Sequence, residues 1–387
     1  MSAAIKNASA IVGIGQTQFG KGLPDSELKL ACRAISMALD DAGIAPSEVD
    51  GLCSYTLEPF REVDVARSVG LGDITWFSQI GFGGGAGCGT ILQSAMAIAT
   101  GAANVVVAWR SRKRSSAASR PWSQVEARVA GHQQWTRPFG LLRPVDEIAM
   151  LCRRYMHEYG ATRDHLANVA LAFRQHANRN PNATFYEKEL TREQYMAGRW
   201  ISEPLCLFDN CLETDGALAV VMVSAERAKD LPNPPAYVHS AAQSIPQQHQ
   251  TMTNYFTDDP LRGPAWVCAE KLWSMADVTP ADVPVAQLYD AFSPLIPLSL
   301  EGYGFCERGE GGPFTDDGAL APGGRLPTNT SGGGMSEAYV HGFNLILEGV
   351  RQIRGTSTSQ VDGAESCLVT SGEGVPTSAL LLTGRTS

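Results

Sequence analysis

The sequence predicts an α/β fold built from two similar halves, because one order of elements is written twice. Glycine triplets at 83–85 and 332–334 each follow an extended stretch and precede a helix-like run. Upstream of each triplet, a helical segment leads through a short Pro–Ser/Ala–acidic–Val link, at 46–49 and 280–283, into an apolar segment. We interpret this repetition as an internal duplication of one α/β unit.

The first half follows the alternation of strands and helices that is typical of such units. Apolar runs predict strands, and longer amphipathic runs predict helices. The expected order is a strand at 10–15, a helix at 26–43, a strand at 51–54, a helix at 90–101 and a strand at 104–109.

Later in the first half, residues 115–140 show little periodicity and are expected to form a loop insertion. Helices are predicted at 145–160, with Gly160 as the C-cap, and at 162–180, and the polar stretch 181–197 is expected to be partly helical. The nearly continuous apolar run 215–223 predicts a strand buried on both faces of a sheet.

A proline-rich segment at 232–235 is the expected boundary between the halves. The predicted division is therefore 1–231, with the insertion at about 115–205, and 236–387. The second half repeats the plan and ends in strands at 366–369 and 378–382, joined through the turn at 372–374.

Composition excludes several classes of protein. The 387 residues carry a net charge of −9, which argues against nucleic-acid binding as the main task. No run approaches the about 18 apolar residues of a membrane span, and the first residues lack a secretory signal. The nine scattered cysteines include no CxxC pair, so we expect reduced, mostly buried thiols in a cytoplasmic protein. The seven histidines show no metal-ligand spacing, so no metal site is expected.

A basic cluster, Arg110-Ser111-Arg112-Lys113-Arg114, directly follows the apolar run 105–109. Two interpretations remain open. Charge runs are usually solvated surface; alternatively, this cluster contacts an anionic ligand or a partner protein near the end of a strand, where α/β ligand clefts form.

Four segments together resemble the thiolase superfamily along essentially the whole chain. They are Asp215-Gly216-Ala217, Tyr289-Asp290-Ala291-Phe292, the turn at 329–342, and Ser371-Gly372-Glu373-Gly374. The resemblance implies an α/β five-layer αβαβα sandwich from two duplicated halves, usually assembled as a homodimer, with active-site loops meeting between the halves.

The departures from the thiolase pattern concern its catalytic residues. Gly84 stands where thiolases carry the nucleophilic cysteine, and Cys88, four residues later, is expected to lie in the core. Tyr289 replaces the asparagine of one catalytic turn, Tyr339 replaces the histidine of another, and Thr370 or Ser371 takes the place of the last cysteine. Without a thiolate no acyl-enzyme forms by the usual route, so a thiolase activity is not expected.

Three segments, at 154–160, 199–205 and 329–342, resemble the lipid-transfer or SCP-x thiolase-like branch, which includes bacterial steroid side-chain-cleaving aldolases. This resemblance implies retro-aldol cleavage of a β-hydroxyacyl-CoA, with a steroid acyl group, to a ketone and a short acyl-CoA. It also implies a DUF35 OB-fold partner in a heterotetramer. No cofactor is expected, since CoA is part of the substrate. Two alternatives remain: a thiolase-like acyltransferase, and a non-catalytic lipid- or sterol-binding protein.

Retro-aldol chemistry requires a base for the β-hydroxyl, donors for the enolate oxygen, and an acid for the α-carbon. The family's two active-site tyrosines map onto Tyr289 and Tyr339, with Asp290 or His341 as proton relay. The alternatives are a core tyrosine with its hydroxyl at the rim, an N-cap role for Asp290, and a backbone-bonded His341.

Residues expected to contact the substrate come from the glycine-rich turns. The turn at 372–374 supplies backbone donors for the enolate oxygen, with His341 as a side-chain option, and the small turn at 83–85 leaves space for a polycyclic acyl group. The predicted contact residues are Gly84, Gly333, Gly334, Ser371, Gly372 and Gly374.

Overall fold

Nine of the strands in the described part of the chain form one mixed sheet that runs through both halves. The structure is a computed structural model that describes residues 5–114, 129, 131, 133–247, 252, 257–374 and 376–385. Its strands are β1 (Ser9–Gln16), β2 (Gly51–Tyr55), β3 (Trp76–Ile80), β4 (Val105–Arg112), β5 (Trp200–Ser202), β6 (Leu205–Cys206), β7 (Gly216–Ser224), β8 (Ala236–Ser244), β9 (Ala286–Gln287), β10 (Ser366–Ser371) and β11 (Thr377–Thr383).

Helices cover the sheet on its outer faces and between its two halves. They are α1 (Glu27–Ala42), α2 (Glu62–Val69), α3 (Gly87–Ala99), α4 (Gln133–Thr136), α5 (Pro144–Tyr159), α6 (Arg163–Ala177), α7 (Arg192–Met196), α8 (Ala225–Ala228), α9 (Pro264–Trp273), α10 (Leu295–Gly302), α11 (Gly311–Phe314), α12 (Gly333–Ser336) and α13 (Phe343–Arg354).

The strand order is β3-β2-β4-β7-β1-β8-β11-β10-β9, so each half of the chain supplies one half of the sheet. In the first half, β2 is parallel to β3 and β4, whereas β7 is antiparallel to β4 and β1. In the second half, β9 and β10 are parallel, and β11 is antiparallel to β10 and β8. The halves join through a short antiparallel contact in which Ala10 pairs with Tyr237 and Ile11 with Ala236.

Three hydrophobic cores give the molecule its five layers. Successive β4 residues alternate between two cores, with Val107 packing under α1 and Val106 packing against α3. The central core also contains residues of β10, β11 and α13, so the two halves of the sheet face each other across α3 and α13. The third core covers the second half with α5, α6, α9 and α10. The predicted five-layer αβαβα sandwich is confirmed.

The repeated link has the same local structure in both halves. Pro46–Glu48 and Pro280–Asp282 are each a single 3₁₀ turn. In the first, Glu48 accepts a hydrogen bond from the N–H of residue 45 at 2.9 Å, and in the second, Asp282 accepts one from the N–H of residue 279 at 2.8 Å. In each turn, the acidic side chain lies three residues after the N–H group that it binds. That N–H group would otherwise have no hydrogen-bond partner in the turn. This shared geometry supports the duplication inferred from the sequence.

Most predicted elements occur within a few residues of the expected bounds. Helix α1 begins at its N-cap Ser26, whose Oγ accepts from Lys29 N at 3.2 Å, and ends at Gly43 with φ +66°. Gly160 caps α5 with φ +67°, as predicted. Strand β4 is longer than predicted and continues to Arg112. Residues 115–128, 130 and 132 of the predicted loop insertion lie outside the described residues, and the predicted domain boundary at 232–235 immediately precedes β8.

The described residues contain no helix that is long and apolar enough to cross a membrane. All nine cysteines belong to this part of the chain, and each is a free thiol.

Candidate active site

Tyr289 is placed by hydrogen bonds to the chain around it, just after the end of β9. The side chain of Asn329 accepts from Leu288 N at 2.7 Å and donates to Leu288 O at 2.8 Å, which pairs the two segments as a strand would. The Tyr289 N–H donates to Thr370 Oγ1 at 2.9 Å. These contacts fix the backbone from which the phenol projects.

The second tyrosine predicted from the sequence, Tyr339, meets the first. The two hydroxyl groups share a hydrogen bond, and the rings lie 6.1 Å apart at an interplanar angle of 53°. The Tyr339 N–H donates to Thr214 Oγ1 at 3.2 Å. Tyr289 is 4% exposed and Tyr339 7%. The fold therefore joins two residues 50 positions apart into one buried phenol pair.

Gly84 lies against this pair. A Cβ atom built on Gly84 would overlap the Tyr289 hydroxyl oxygen and Cζ, and would lie 2.8 Å from Cε2. The phenol thus fills the volume into which a side chain at position 84 would project. The expectation that the small turn at 83–85 leaves space for a polycyclic acyl group is therefore wrong at Gly84, because Tyr289 occupies that space.

Burial keeps both phenols protonated at neutral pH. Loss of solvation raises the pKa of Tyr289 and of Tyr339 well above the ordinary value of 10. Arg114 opposes this effect at both residues, since its positive charge favours a phenolate. In the resting site, one phenol donates a hydrogen bond to the other.

Asp290, next in sequence to Tyr289, binds the start of a short helix. Its carboxylate accepts from Gly334 N at 2.8 Å and Met335 N at 3.1 Å in α12. The carboxylate also fills the space beside Gly333 and Gly334, where a Cβ at Gly334 would lie 2.9 Å from Oδ1. Burial raises the pKa of Asp290 to about 7, although both N–H groups favour the charged form. Asp290 is not the N-cap residue of the helix after its own strand, since Pro294 precedes α10, so the N-cap alternative is wrong in that form. The carboxylate binds α12 from another segment, and the two glycines allow its close approach. The proton-relay role of Asp290 stays a prediction.

His341 lies 1% exposed between two arginines, with its backbone at φ +54°. Its Nδ1 is 3.2 Å from Arg110 Nε and 2.9 Å from Arg110 Nη2, and its Nε2 contacts Arg114 Nη2. The imidazole meets the Tyr339 ring edge-on at 5.5 Å. Burial and then the charges of Arg114, Arg110 and Arg112 lower the pKa of His341 well below 6.5, so the ring is neutral. Its ring nitrogens face the arginines, and the expected relay or enolate contact stays a prediction.

The basic cluster is not a solvated surface at its first and last residues. Arg110 is fully buried and pairs with Glu58 at 2.6 Å, and Arg114 is 4% exposed. The solvated-surface interpretation is therefore wrong for both. Strand β4 continues past its apolar run to Arg112 and so includes Arg110, whereas Arg114 follows the strand by two residues. The two side chains contact the two ring nitrogens of His341.

Cys88 and Ser371 bond to each other beneath the site. Cys88 N donates to Ser371 Oγ at 3.0 Å, and Ser371 Oγ donates to Cys88 Sγ at 3.2 Å. Cys88 is fully buried in the central core, as predicted, and burial raises the pKa of its thiol far above 9. A thiol in this state is not a nucleophile.

The turn after β10 has left-handed backbone at Gly372 (φ +87°) and Gly374 (φ +84°). Between them, the Glu373 carboxylate points inward and accepts from Ala265 N at 2.9 Å. Burial raises the pKa of Glu373 to about 8. The predicted substrate contacts of Ser371, Gly372 and Gly374 stay predictions, as does a direct contact at Gly84, Gly333 or Gly334.

Sequence reasoning missed one thiol close to the phenols. Cys211 donates its N–H to Ala291 O at 2.9 Å, and charge on its thiol would raise the pKa of both Tyr289 and Tyr339. Burial raises the pKa of Cys211 to about 12. The one available signal was its position just before the Asp215-Gly216-Ala217 segment, which leads into a buried strand.

Within the described ranges, no group of three or more histidine, cysteine, aspartate or glutamate side chains could hold a metal ion.

A five-layer fold in which Tyr289 and Tyr339 stand where thiolases carry an asparagine and a histidine, with Gly84 in place of the cysteine, defines a modified thiolase-type site. Family models agree: the thiolase N-terminal domain matches residues 9–197 and the thiolase C-terminal domain-like model matches residues 247–383. The chain belongs to the thiolase superfamily.

Relatives place it in one branch of that superfamily. It is 46% identical, over 98% of both chains, to the steroid side-chain-cleaving aldolase of Thermomonospora curvata. It is also 46% identical, over 98% of this chain and 100% of the relative, to the 17-hydroxy-3-oxo-4-pregnene-20-carboxyl-CoA lyase of Mycobacterium tuberculosis. A solved Ltp2-ChsH2(DUF35) aldolase superposes with a TM-score of 0.94 at 46% identity, covering 98% of each chain. The resemblance to steroid side-chain-cleaving aldolases is confirmed.

Proposed function

We propose that this chain is a carbon–carbon lyase that cleaves a β-hydroxyacyl-CoA by a retro-aldol reaction. The single observation that carries the proposal is the buried hydrogen-bonded pair of Tyr289 and Tyr339, packed into the space that a side chain at Gly84 would need. The identity to two relatives named as an aldolase and a lyase supports the same reaction class.

The reaction transfers one proton from the β-hydroxyl to the α-carbon. As the hydroxyl loses its proton, the oxygen forms the ketone, the bond between the α- and β-carbons breaks, and its electron pair enters the thioester as an enolate. Protonation at the α-carbon then gives the acyl-CoA. All atoms and electrons of the substrate are recovered in the two products, and no covalent enzyme intermediate is needed.

The phenol pair supplies a proton path for this transfer. A substrate hydroxyl beside the pair gives its proton to one phenol while a phenol proton passes to the α-carbon. Because burial raises the pKa of both tyrosines, passing the proton along the pair costs less than keeping a free phenolate. Either tyrosine can stand first in this path.

Donors for the enolate oxygen come, in this proposal, from the backbone of the turn that contains Gly372 and Gly374. The left-handed backbone at both glycines supports this assignment, since such turns present N–H groups to a ligand. His341 is less suited to the task because its ring nitrogens face Arg110 and Arg114. Asp290 acts through α12, whose N–H groups it binds, to position the turn that leads to Tyr339.

The proposed substrate is a CoA thioester of a steroid side chain with a β-hydroxyl group. The name of the Mycobacterium tuberculosis relative supports this choice, because it specifies a 17-hydroxy steroid with a carboxyl-CoA side chain. The products are then a 17-ketosteroid and a short acyl-CoA. No cofactor is proposed, since the phenols and backbone supply each group that the reaction needs and CoA belongs to the substrate.

Acyl transfer, the competing activity, requires a reactive thiolate. Burial raises the pKa of Cys88 far above 9 and the pKa of Cys211 to about 12, so neither thiol is ionised at neutral pH. This observation disfavours the acyltransferase. A non-catalytic lipid- or sterol-binding protein would show no product in the assay below.

The proposed assembly is a homodimer that binds a DUF35 OB-fold protein as a heterotetramer. Strand β3 lies at the edge of the sheet, and Phe77 on it is 67% exposed, with Phe82 and Val63 also more than half exposed. An exposed apolar edge strand favours pairing with a second copy. The solved Ltp2-ChsH2(DUF35) aldolase supports the partner class. The free thiols and the CoA chemistry support a cytoplasmic location.

The direct test incubates the protein, with and without a DUF35 partner, with the CoA thioester of a 17-hydroxysteroid side chain. Mass spectrometry follows the ketosteroid and the short acyl-CoA. Equimolar release of both products supports the proposal. Binding of the thioester without either product, in the presence of the partner, would favour the binding-protein alternative.

A further inference from the structure

Glu373, between the two left-handed glycines of the turn that follows β10, binds the start of α9. Its Oε2 accepts from Ala265 N at 2.9 Å, across 108 positions of the chain. The side chain is 6% exposed, and Gly372 and Gly374 on either side of it have φ +87° and +84°. The turn to which the enolate donors are assigned is therefore connected to a helix by one buried side chain.

The first turn of α9 is capped by this distant residue. Its N-cap position is Gly263, which has no side chain, and its first helical residue is Pro264, which has no N–H. Ala265 N is thus the first N–H of the helix, a group that has no partner within a helix. A Cβ atom on Gly263 would overlap Glu373 Oε1. Glycine at position 263 therefore leaves the space that the Glu373 carboxyl fills.

The same turn of α9 is held by the sheet and by α10. Ser244 Oγ in β8 donates to Pro264 O at 2.9 Å. A Cβ atom on Gly302 in α10 would lie 2.7 Å from Ala265 Cβ, so the two helices are in close contact there. Ala265 is fully buried. The turn that contains Glu373 is therefore bound to a part of the helix that the core keeps in place.

The charge of Glu373 suits a turn beside which negative charge develops. Burial raises its pKa to about 8, and the hydrogen bond from Ala265 N opposes that effect, so the neutral acid predominates at pH 7. Two titratable groups near it are the Cys268 thiol on α9 and the Tyr303 phenol after α10, since a charge on Glu373 would raise the pKa of each. Burial raises the pKa of both groups as well, so both are neutral at pH 7. The carboxyl thus binds Ala265 N without placing a full negative charge in the turn.

We propose that Glu373 is a positioning residue that fixes the turn at 372–374, and with it the enolate donors, by binding the N-terminus of α9. The inference rests on the proposed aldolase reaction, in which the electron pair of the broken carbon–carbon bond enters the thioester. Donors stabilise the resulting enolate when they are held about 2.7–3.1 Å from its oxygen. Because a displacement of about 1 Å can cost about 100-fold in rate, a loose turn would slow cleavage more than it weakens substrate binding.

The test breaks the contact from each of its two sides. Glu373→Leu removes the acceptor but keeps an extended side chain, and Gly263→Ala places a Cβ where Oε1 lies. For each variant we expect kcat at pH 7 to fall at least about ten-fold with KM within about three-fold. Glu373→Gln keeps an acceptor oxygen and resembles the neutral acid, so it should retain most of kcat. The matched control is Gly384→Ala, whose Cβ would lie 3.6 Å from Ile353 Cγ2, an ordinary contact, and it should cleave as wild type does.

Combining Glu373→Leu with Gly263→Ala shows whether the two changes act through one contact. If they do, kcat of the double variant should be close to that of the slower single variant. A loss equal to the product of the two single losses would overturn the inference, as would a folded Glu373→Leu variant with the kcat of wild type. If Glu373→Leu does not fold, Glu373→Asp takes its place with the same expected loss, since its side chain is one methylene group shorter and withdraws the carboxyl from Ala265 N.

Hydrogen–deuterium exchange tests the inference without turnover. The Ala265 amide and peptides that contain the turn at 372–374 should exchange faster in Glu373→Leu and Gly263→Ala than in wild type. Glu373→Gln and Gly384→Ala should exchange as wild type does. If wild type releases no ketosteroid with the DUF35 partner present, the proposed function fails, and the exchange still decides whether Glu373 fixes the turn. Unchanged exchange in a folded Glu373→Leu variant would show that it does not.

Discussion

The hydroxyl of Tyr289 occupies the volume into which a side chain at Gly84 would project. The absence of a side chain at position 84 and the presence of a phenol at position 289 therefore depend on each other. A cysteine could not be restored at position 84 without displacing the tyrosine. The site of this chain is thus committed to phenol chemistry by packing as well as by residue type.

This relationship predicts that Gly84→Ala reduces both stability and activity. The added Cβ would overlap Tyr289 and push it from Tyr339, so we expect a loss of about 1–3 kcal/mol in the free energy of unfolding and a large loss of kcat. Denaturant unfolding and the cleavage assay measure the two effects. Gly81→Ala is the matched control, since its Cβ would meet nothing nearer than Thr56 Oγ1 at 4.0 Å. Equal behaviour of the two variants would show that the packing at Gly84 is looser than described.

The shared hydrogen bond predicts that the two tyrosines act as one unit. Tyr289→Phe and Tyr339→Phe should each lower kcat by about 10²–10⁴-fold. The double variant should be little slower than the worse single variant, because either change breaks the proton path. Tyr237→Phe, a buried tyrosine in β8, is the control. If the loss of kcat in the double variant equals the product of the two single losses, the phenols work independently.

Much of the fold was predictable because local signals agreed with it. Ser26 and Gly43 bound α1, and the apolar run 215–223 became the buried strand β7. These features depend on short-range capping and on hydrophobic periodicity, which a sequence displays directly. The placement of Tyr289 and Tyr339 in one site was implied instead by the resemblance to the aldolase branch of the family.

The contacts that the sequence did not predict are long-range. Nothing near Gly84 indicates that a phenol 205 positions later fills its space, since that depends on how the two halves meet. Likewise, the charge run that contains Arg110 has the composition of a surface segment. Its burial depends on Glu58 and His341, which come from distant elements.

The raised pKa of Glu373 predicts how the free energy of unfolding depends on pH. Its pKa rises from an ordinary value of 4.5 to about 8 on folding, so the folded state holds more protons between these values. Stability linked to this group is present below pH 4.5 and is lost as the pH rises towards 8. Between these pH values the free energy of unfolding of wild type should fall by up to about 1.4 kcal/mol per pH unit because of this group. Glu373→Gln should abolish that fall and be more stable than wild type at pH 9.

Urea unfolding at several pH values measures the Glu373 effect. The glutamine side-chain oxygen can still accept from Ala265 N, so the fold should survive the change. Glu226→Gln, an exposed change on α8, should leave the slope as in wild type. Parallel stability curves for wild type and Glu373→Gln would contradict the assignment.

The exposed edge strand predicts a dimer that one charge disrupts. Phe77→Glu places a carboxylate at the centre of the proposed β3–β3 contact and should shift the protein to monomer in sedimentation experiments. Met37→Glu, on the exposed face of α1, is the matched control because Met37 is 46% exposed on another face. A Phe77→Glu variant that remains dimeric would place the interface elsewhere.

In the proposed reaction the phenol pair, and no cysteine, carries the carbon–carbon cleavage. The most direct measurement compares ketosteroid release from the 17-hydroxysteroid CoA thioester by Cys88→Ala, Cys211→Ala and Tyr339→Phe, each with the DUF35 partner present. We expect both cysteine variants to keep cleaving the thioester and Tyr339→Phe to lose the activity. Cleavage that survives in Tyr339→Phe but disappears with either cysteine would contradict this expectation and support covalent thiol catalysis.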